Sequence, residues 1–267
     1  MNRFAQTLAV MGCWLAGAAC ALAHATAVDL GDRVGFTQRL NETVPGTLRF
    51  RDATGREVAL SDYYGAAPAV LVFAWYGCTT LCPTVVGNLV HALDEGGLSP
   101  GRYQVIVASI DPRDSPAAAM HMKRIYLAGA TRPGAAGAWH LLTGSDSAIS
   151  ALTQAAGFRY AYDPDSHQYA HPAGIVLLTP QGTISRYFFG FDFTPAQLRD
   201  AIDAAAAARI ASPVDRLLLL CFHFAPSGRY SRIVLQVLRW TSGALVLAGL
   251  ILLVAMRWRT TRARARR

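Results

Sequence analysis

Cysteine is scarce in this chain. There are five in 267 residues. Two of them, Cys13 and Cys20, fall in an N-terminal stretch that reads as an export signal, so the mature chain keeps Cys78, Cys82 and Cys221. An exported domain with so few cysteines is not a disulfide-stapled scaffold. Its fold has to rest on a hydrophobic core, and the stretch from Pro45 to Ile210 is long enough to build one. A basic surface is lacking as well, despite a formal charge of +8. Arg3 and the six arginines at 257, 259, 262, 264, 266 and 267 carry most of that excess, and without them about +1 remains. No basic patch interleaved with aromatics is left to hold nucleic acid. There are no internal repeats, and the long apolar runs sit at the two ends.

The ends read as targeting and anchoring segments. Arg3 precedes an apolar run from Leu8 to about Leu22, followed by Ala23-His24-Ala25. That is the layout of a secretory signal peptide over residues 1–25. A lipoprotein site at Cys20 is disfavoured because Gly17, not Leu, stands three residues before it. At the other end Trp240 to Met256 carries no charge. At ~1.5 Å per residue this run spans roughly 26 Å, the short limit for a bilayer crossing. Trp240 and Trp258 bracket it as interfacial aromatics do, and the arginines beyond place the C-terminus inside. The expected organisation is a linker (26–44), a folded domain (45–210), a juxtamembrane segment (211–239), a transmembrane helix (240–257) and a basic cytoplasmic tail (258–267). The domain is expected on the periplasmic side of a bacterial inner membrane.

Between the ends the pattern is mixed α/β. Residues 47–52 alternate as a strand, and 57–65 read as a short strand and turn. The runs 67–77 and 103–111 are continuously apolar, as strands covered on both faces are. Pro83 opens a helix to about Asp94, with Cys82 expected as its N-cap. Ser115-Pro116 opens a second, to about Leu127. A short strand at 138–144 leads to a helix from Ser145 that ends at Gly157. Residues 173–190 read as a hairpin around Pro180-Gln181-Gly182, and Thr194-Pro195 opens a last helix to about Ile210. Strand–helix alternation closed by a hairpin and a helix is the element order of a thioredoxin-like domain.

In that order the first buried strand runs into "FAWYGCTTLCPTVV", residues 73–86. Cys78 and Cys82 stand four apart, and in a helix-like turn their Cα atoms come within disulfide range. Both sulfurs can equally face one ion, and a helix N-terminus favours thiolates. Spacing alone therefore permits a disulfide or a metal. A metal wants a third ligand, and the candidates are His91, His121, His140, His167, His171 and His223. His91 and His121 lie on polar helix faces, and His140 sits in a strand among apolar residues. His171 precedes the hairpin strand that begins near Ala173, where this topology faces the cysteine loop. It is the expected third ligand, with His167 second. Pro172 is a candidate cis-proline. Two thiolates and an imidazole form a soft set suited to Cu(I), and added water or hard ligands accommodate Cu(II). Zinc would want a fourth strong ligand, for which Asp163 or Asp111 are the candidates.

Three segments, "YGCTTLCPTVV", "SIDPRDSP" (109–116) and "YAHPAGIVLLTPQG" (169–182), together resemble the Sco/SenC family. The resemblance covers about residues 45–207. It implies a thioredoxin-like fold and copper held by a Cys-x3-Cys-Pro pair and one distal histidine, here Cys78, Cys82 and His171. It also implies a role in building the binuclear copper centre of cytochrome c oxidase, as copper donor, thiol reductant of the oxidase subunit, or both. Asp111 matches an acidic residue of the family placed near the site. Thr79 stands where the family often has Pro, Ala170 where it often has Asp, and "DPRD" is one residue shorter than usual. The C-terminal span, preceded by "LLLLCFHFAPSGRYS", is similar to a bacterial subgroup. Partners implied are the copper-bearing oxidase subunit or another copper protein, with the membrane as anchor.

Two other readings stand beside a metallochaperone. A thiol–disulfide oxidoreductase would use Cys78 and Cys82 as its catalytic redox pair. A peroxidase is a third and disfavoured reading. Cys221 and His223, in the apolar run before the anchor, read as packing residues ahead of an accessory copper relay.

Overall fold

A computed structural model describes residues 33–78, 81–164, 166–211, 240–243 and 249. The chain divides into two units, residues 33–224 and residues 1–32 with 225–267. The second unit contributes only the helical turn 240–243 and Gly249 to the described residues. The expected signal peptide, Cys221, His223 and most of the expected anchor lie outside them. Among the described residues no helix is long and apolar enough to cross a membrane.

The domain contains, in chain order, β1 (Gly35–Phe36), β2 (Arg49–Asp52), β3 (Glu57–Ala59), β4 (Ala69–Ala74), α1 (Leu81–Glu95), β5 (Gln104–Ser109), α2 (Pro116–Tyr126), β6 (Trp139–Thr143), α3 (Asp146–Ala155), β7 (Phe158–Arg159), β8 (Ala161–Asp163), β9 (Gln168–Ala170), β10 (Gly174–Leu178), β11 (Ile184–Phe189) and α4 (Pro195–Ala206). Seven strands form one sheet in the order β11-β10-β4-β5-β6-β2-β3. The central β4, β5 and β6 are parallel, while β10 runs antiparallel to β4 and β2 antiparallel to β6.

The apolar runs explain why β4 and β5 are central. Successive side chains of a strand point to opposite faces, so a strand with no polar face must be covered twice. Val70, Val72 and Ala74 of β4 join one core cluster, with Val86, Leu89 and Leu93 of α1 and Leu198 and Ile202 of α4. Leu71 and Phe73 join the other, with Ile149 and Leu152 of α3. Three helices start where their caps predict. Ser115, Ser145 and Thr194 each accept a hydrogen bond from the backbone N–H three residues on.

The segment expected as a linker contributes to the domain over its described residues. Phe36 packs edge-on against Phe158, Tyr187 and Phe189, with ring centroids 5.3, 5.7 and 5.4 Å away. β1 pairs with β7, Thr43 bridges to Thr183, and Val44 is wholly buried. Phe36 and Val44 in a polar stretch generate no periodicity, yet their packing holds the strap down. A second correction concerns α1. It begins at Leu81, so Cys82 lies inside the first turn rather than capping it.

Antiparallel pairing of β10 with β4 brings distant sequence to the cysteine loop. Ile175 sits opposite Val72 and Val176 opposite Leu71, so the residues before β10 run alongside the end of β4. Gly174, at the start of β10, lets β11 and Phe36 close on the strand from its other side. Its φ is +150°, and a Cβ there would lie 2.4 Å from the carbonyl oxygen of Phe188 and 3.1 Å from the Phe36 ring. Gly174→Ala is expected to lower stability by about 1–3 kcal/mol, because the contact is with backbone that cannot swing away. A reduced midpoint in urea unfolding checks this.

Candidate metal centre

β4 ends at Ala74, and the loop that follows is pinned from beneath. The Tyr76 backbone N–H donates to Asp114 Oδ2 (3.0 Å), and the Ser109 hydroxyl donates to the same oxygen (2.6 Å). The Tyr76 hydroxyl lies 2.9 Å from the Val107 carbonyl oxygen and 3.0 Å from that of Leu142. The Cys78 N–H closes a turn onto the Trp75 carbonyl (3.0 Å). Gly77 lets the loop pass the Trp75 indole, since a Cβ there would come within 2.7 Å of the ring.

Cys82 is 2% exposed and Cys78 is half-buried; they are not joined as a disulfide. The Cys82 backbone N–H points at the Cys78 sulfur across 3.5 Å. The Cys82 sulfur lies 3.4 Å from His171 Nε2, although the two residues are 89 positions apart in sequence. His171 Nδ1 is 3.0 Å from the Pro172 carbonyl oxygen. A carbonyl only accepts, so this contact assigns the ring proton to Nδ1 and leaves the Nε2 lone pair facing the sulfur.

The electrostatics differ from the expectation drawn from helix position. Burial pushes the Cys82 thiol up from 9.0 to about 12, and backbone hydrogen bonds from the Trp75 turn only partly oppose it. Three pH units amount to roughly 4 kcal/mol, more than the ~1–2 kcal/mol a helix N-terminus supplies. Burial likewise pulls His171 below the usual imidazole value, with the Pro172 carbonyl partly restoring it. The metal-free site is therefore a thiol donating to a neutral imidazole.

Among the described residues, no set of three His, Cys, Asp or Glu side chains is already gathered tightly enough to clasp an ion. Two of the three expected ligands, Cys82 and His171, are in contact, and the third, the Cys78 sulfur, stands at the backbone of Cys82. The donor chemistry, two sulfurs and an imidazole nitrogen, suits a soft cation.

The other candidates are occupied elsewhere. His167 pairs through Nδ1 with the Tyr162 hydroxyl (3.1 Å). Asp163 accepts from the Ser166 hydroxyl (2.7 Å). Asp111 is gripped by the Arg113 guanidinium at 2.9 Å. Burial raises its carboxyl, but the Arg113 bonds and the Tyr169 hydroxyl outweigh this and hold it below the usual range. Neither carboxylate completes a zinc site, and the His171–Pro172 peptide bond is trans. His91 faces Glu95 on the exposed surface of α1, and His121 is exposed on α2.

His140 stacks on Tyr63 at 4.1 Å, with Nε2 2.7 Å from Gln104 Oε1. Burial, with Lys123 nearby, lowers it from 6.5 to about 4. The folded state thus keeps His140 neutral where the unfolded chain protonates it. The stability it contributes is complete above pH 6.5 and is lost as pH falls towards 4. Discounted for partial exposure, the loss is about 1–2 kcal/mol. Urea titrations at pH 7 and pH 4.5 should show it, and His140→Gln should remove it.

Several functional neighbours carry no signal in the sequence alone. The β8–β9 hairpin is one such neighbour, and Tyr162 and Tyr169 on it tie the segment before His171 to the loop after β5. The Tyr169 hydroxyl bonds Asp111, and Arg113 lies over the Tyr162 ring at 5.2 Å. Asp114, the anchor of the Tyr76 amide, is the second aspartate of "DPRD", where only the first had drawn attention. Ala170 removes a side-chain partner for His171, and the Pro172 carbonyl stands in that role.

The family model described as SCO1/SenC matches residues 37–207. None of the curated proteins matches the chain at a significant level. Among solved structures, a candidate electron transfer protein of Aquifex aeolicus superposes with a TM-score of 0.56 at 23% identity, covering 63% of this chain and 95% of its own. ScoI of Arabidopsis thaliana, solved with copper bound, superposes at 0.51 and 18% identity, covering 62% of this chain and 99% of its own. A SCO1/SenC family lipoprotein of Bacillus anthracis superposes at 0.50 and 22% identity, covering 65% and 98%. At these identities the structures report the shared α/β fold.

Proposed function

Because the chain belongs to the SCO1/SenC family, we propose that it takes up copper through Cys78, Cys82 and His171 and serves the assembly of the copper centre of a cytochrome c oxidase. The observation that carries the reading is the 3.4 Å approach of His171 Nε2 to the Cys82 sulfur. An imidazole with its lone pair aimed at a buried thiol, and a second sulfur at the backbone of that cysteine, supports a three-ligand clasp once the Cys82 proton is lost. Copper is cargo here. Its entry displaces the Cys82 thiol proton, and the imidazole accepts no proton on Nε2 while it ligates. Burial keeps Cys82 protonated, and therefore slow to react, until metal arrives.

The same pair supports thiol reduction of a recipient protein. Two thiols give up two electrons and two protons to become a disulfide, and the recipient's disulfide takes them up. Their spacing, with the Cys82 N–H directed at the Cys78 sulfur, favours this second reading. BsSco, an oxidase assembly protein of similar fold (TM-score 0.50, 22% identity), is described as containing a disulfide switch. The two roles alternate, since a disulfide offers no thiolate to copper.

The proposal extends to placement. Residues 1–25 act as a signal peptide and 240–257 as a membrane anchor, with the domain in the periplasm and the arginine tail inside.

The test is anaerobic copper loading of the full-length chain in detergent, followed by a chelator challenge. One copper per reduced chain is expected, falling to none in Cys78→Ser/Cys82→Ser. A reduced wild-type protein that surrenders all its copper to a weak chelator contradicts the reading.

A further inference from the structure

Lys123 on α2 is half-buried, and among the described residues its ammonium makes no hydrogen bond or ion pair. It lines a cavity of about 320 Å³ together with Tyr63, Met120, Trp139 and His140, and no residue of the metal centre takes part. The strand pairing explains the opening. β2 pairs with β6 only at Arg51–Thr143 and Asp52–Leu142 before the chain turns back into β3. Among the described residues no strand lies beside residues 139–141 on that side. One wall is flat and uncharged at neutral pH: the Tyr63 and His140 rings stack at 4.1 Å, and Gln104 steadies the imidazole at 2.7 Å. Met120 lines the cavity yet is 37% exposed, which puts a polarisable apolar group at its mouth. The carboxylate in the lining, Asp52, is fully engaged. Its Oδ1 accepts from the Thr54 N–H and hydroxyl and from the Arg56 N–H, and its Oδ2 pairs with the Arg56 guanidinium. Burial pulls the Lys123 ammonium below its usual value, and the Asp52 charge opposes this from beyond ion-pair distance. A cation held partly out of water without a counter-ion is costly, and an anion entering the cavity would relieve that cost.

We propose that this cavity binds a small organic carboxylate with a flat apolar body, the carboxylate on the Lys123 ammonium and the body against the Tyr63–His140 stack and Met120. The volume is at the lower end for ligand cavities, which suits a single ring rather than a nucleotide. The charge count selects the head group. Arg56, the other cation in the lining, is committed to Asp52, so one uncommitted positive charge remains. That matches a monoanion; a phosphate dianion wants several converging donors. A metal ion finds no free carboxylate there, since both Asp52 oxygens are occupied. The inference is independent of the copper reading of Cys78, Cys82 and His171.

The test uses the metal-free full-length chain in detergent, benzoate as the probe and ligand-detected NMR as the readout. Saturable binding is expected with a Kd on the order of 1 mM, the scale for a molecule of this size held by one charge contact and one ring face. Lys123→Met keeps the aliphatic stem and removes the charge. It is expected to weaken benzoate binding at least about tenfold, the scale of a hydrogen bond to a charged group, while resisting urea as well as wild type. Two further probes of the wild type separate head from body. Benzamide has the shape without the charge, and inorganic phosphate has the charge without the ring. Each is expected to bind at least about tenfold more weakly than benzoate. The His140 ring-proton resonances, identified by their loss in His140→Gln, are expected to shift as benzoate is added. Benzoate that does not saturate, or that binds Lys123→Met as tightly as wild type, overturns the proposal. So does benzamide or phosphate binding as tightly as benzoate, the first marking an apolar cavity indifferent to Lys123 and the second a bare anion contact.

Discussion

Replacing His171 by alanine is expected to weaken Cu(II) binding by at least about 100-fold while leaving thiol–disulfide exchange at Cys78 and Cys82 within a few-fold of wild type. The expected size follows from the donor set. Loss of groups that merely orient metal ligands costs about 10- to 100-fold, and loss of a ligand costs more. Cu(II) depends on the imidazole more than Cu(I) does, because two sulfurs alone satisfy the softer ion. The exchange reaction needs only the sulfurs. His171 is half-buried with its ring 6.1 Å from that of Phe158, so urea unfolding of the metal-free variant is measured beside the titration. Equilibrium titration with Cu(II), and a separate exchange assay with a small disulfide, read the two quantities. A variant that holds Cu(II) as firmly as wild type contradicts a three-ligand site.

Oxidising Cys78 and Cys82 to a disulfide is expected to abolish copper retention, and in the reduced protein copper affinity should climb about tenfold for each pH unit. The sign follows from the protonation of Cys82. Its thiol is pushed up to about 12 by burial, so across the neutral range the metal must expel that proton. Every unit of pH lowers the cost of expelling one proton by about 1.4 kcal/mol. The same shift makes the metal-free fold weaker in base. The unfolded chain loses this proton near 9.0 and the folded chain only near 12, so stability present below pH 9 is lost as pH rises between those values. Affinities measured at pH 6.5, 7.5 and 8.5 in a non-coordinating buffer give the slope. A flat profile would mean that Cys82 is not deprotonated on binding.

Local chemistry made much of this protein legible in advance. Ser115, Ser145 and Thr194 mark helix starts because their caps act within three residues. The central strands are recognisable because a run such as Val70 to Ala74 without a polar face has to be covered on both sides. The failures share a cause. The strap through Phe36 and Val44 and the hairpin of Tyr162 and Tyr169 are held by ring packing, hydrogen bonds and a cation–π contact to distant residues, which leave no period behind. Cys82 reads as an activated thiol when only its helix is considered. The enclosing core, invisible at that range, outweighs the dipole and reverses the direction.

The residues that can do chemistry were therefore determined by the sequence itself: two sulfurs four apart beside a proline, and one histidine before a closing strand. Whether they meet was decided by tertiary structure. Antiparallel pairing of β10 with β4 brings His171 to Cys82. Burial sets their protonation there, because the free energy of a charge depends on everything packed around it and not on its neighbours along the chain.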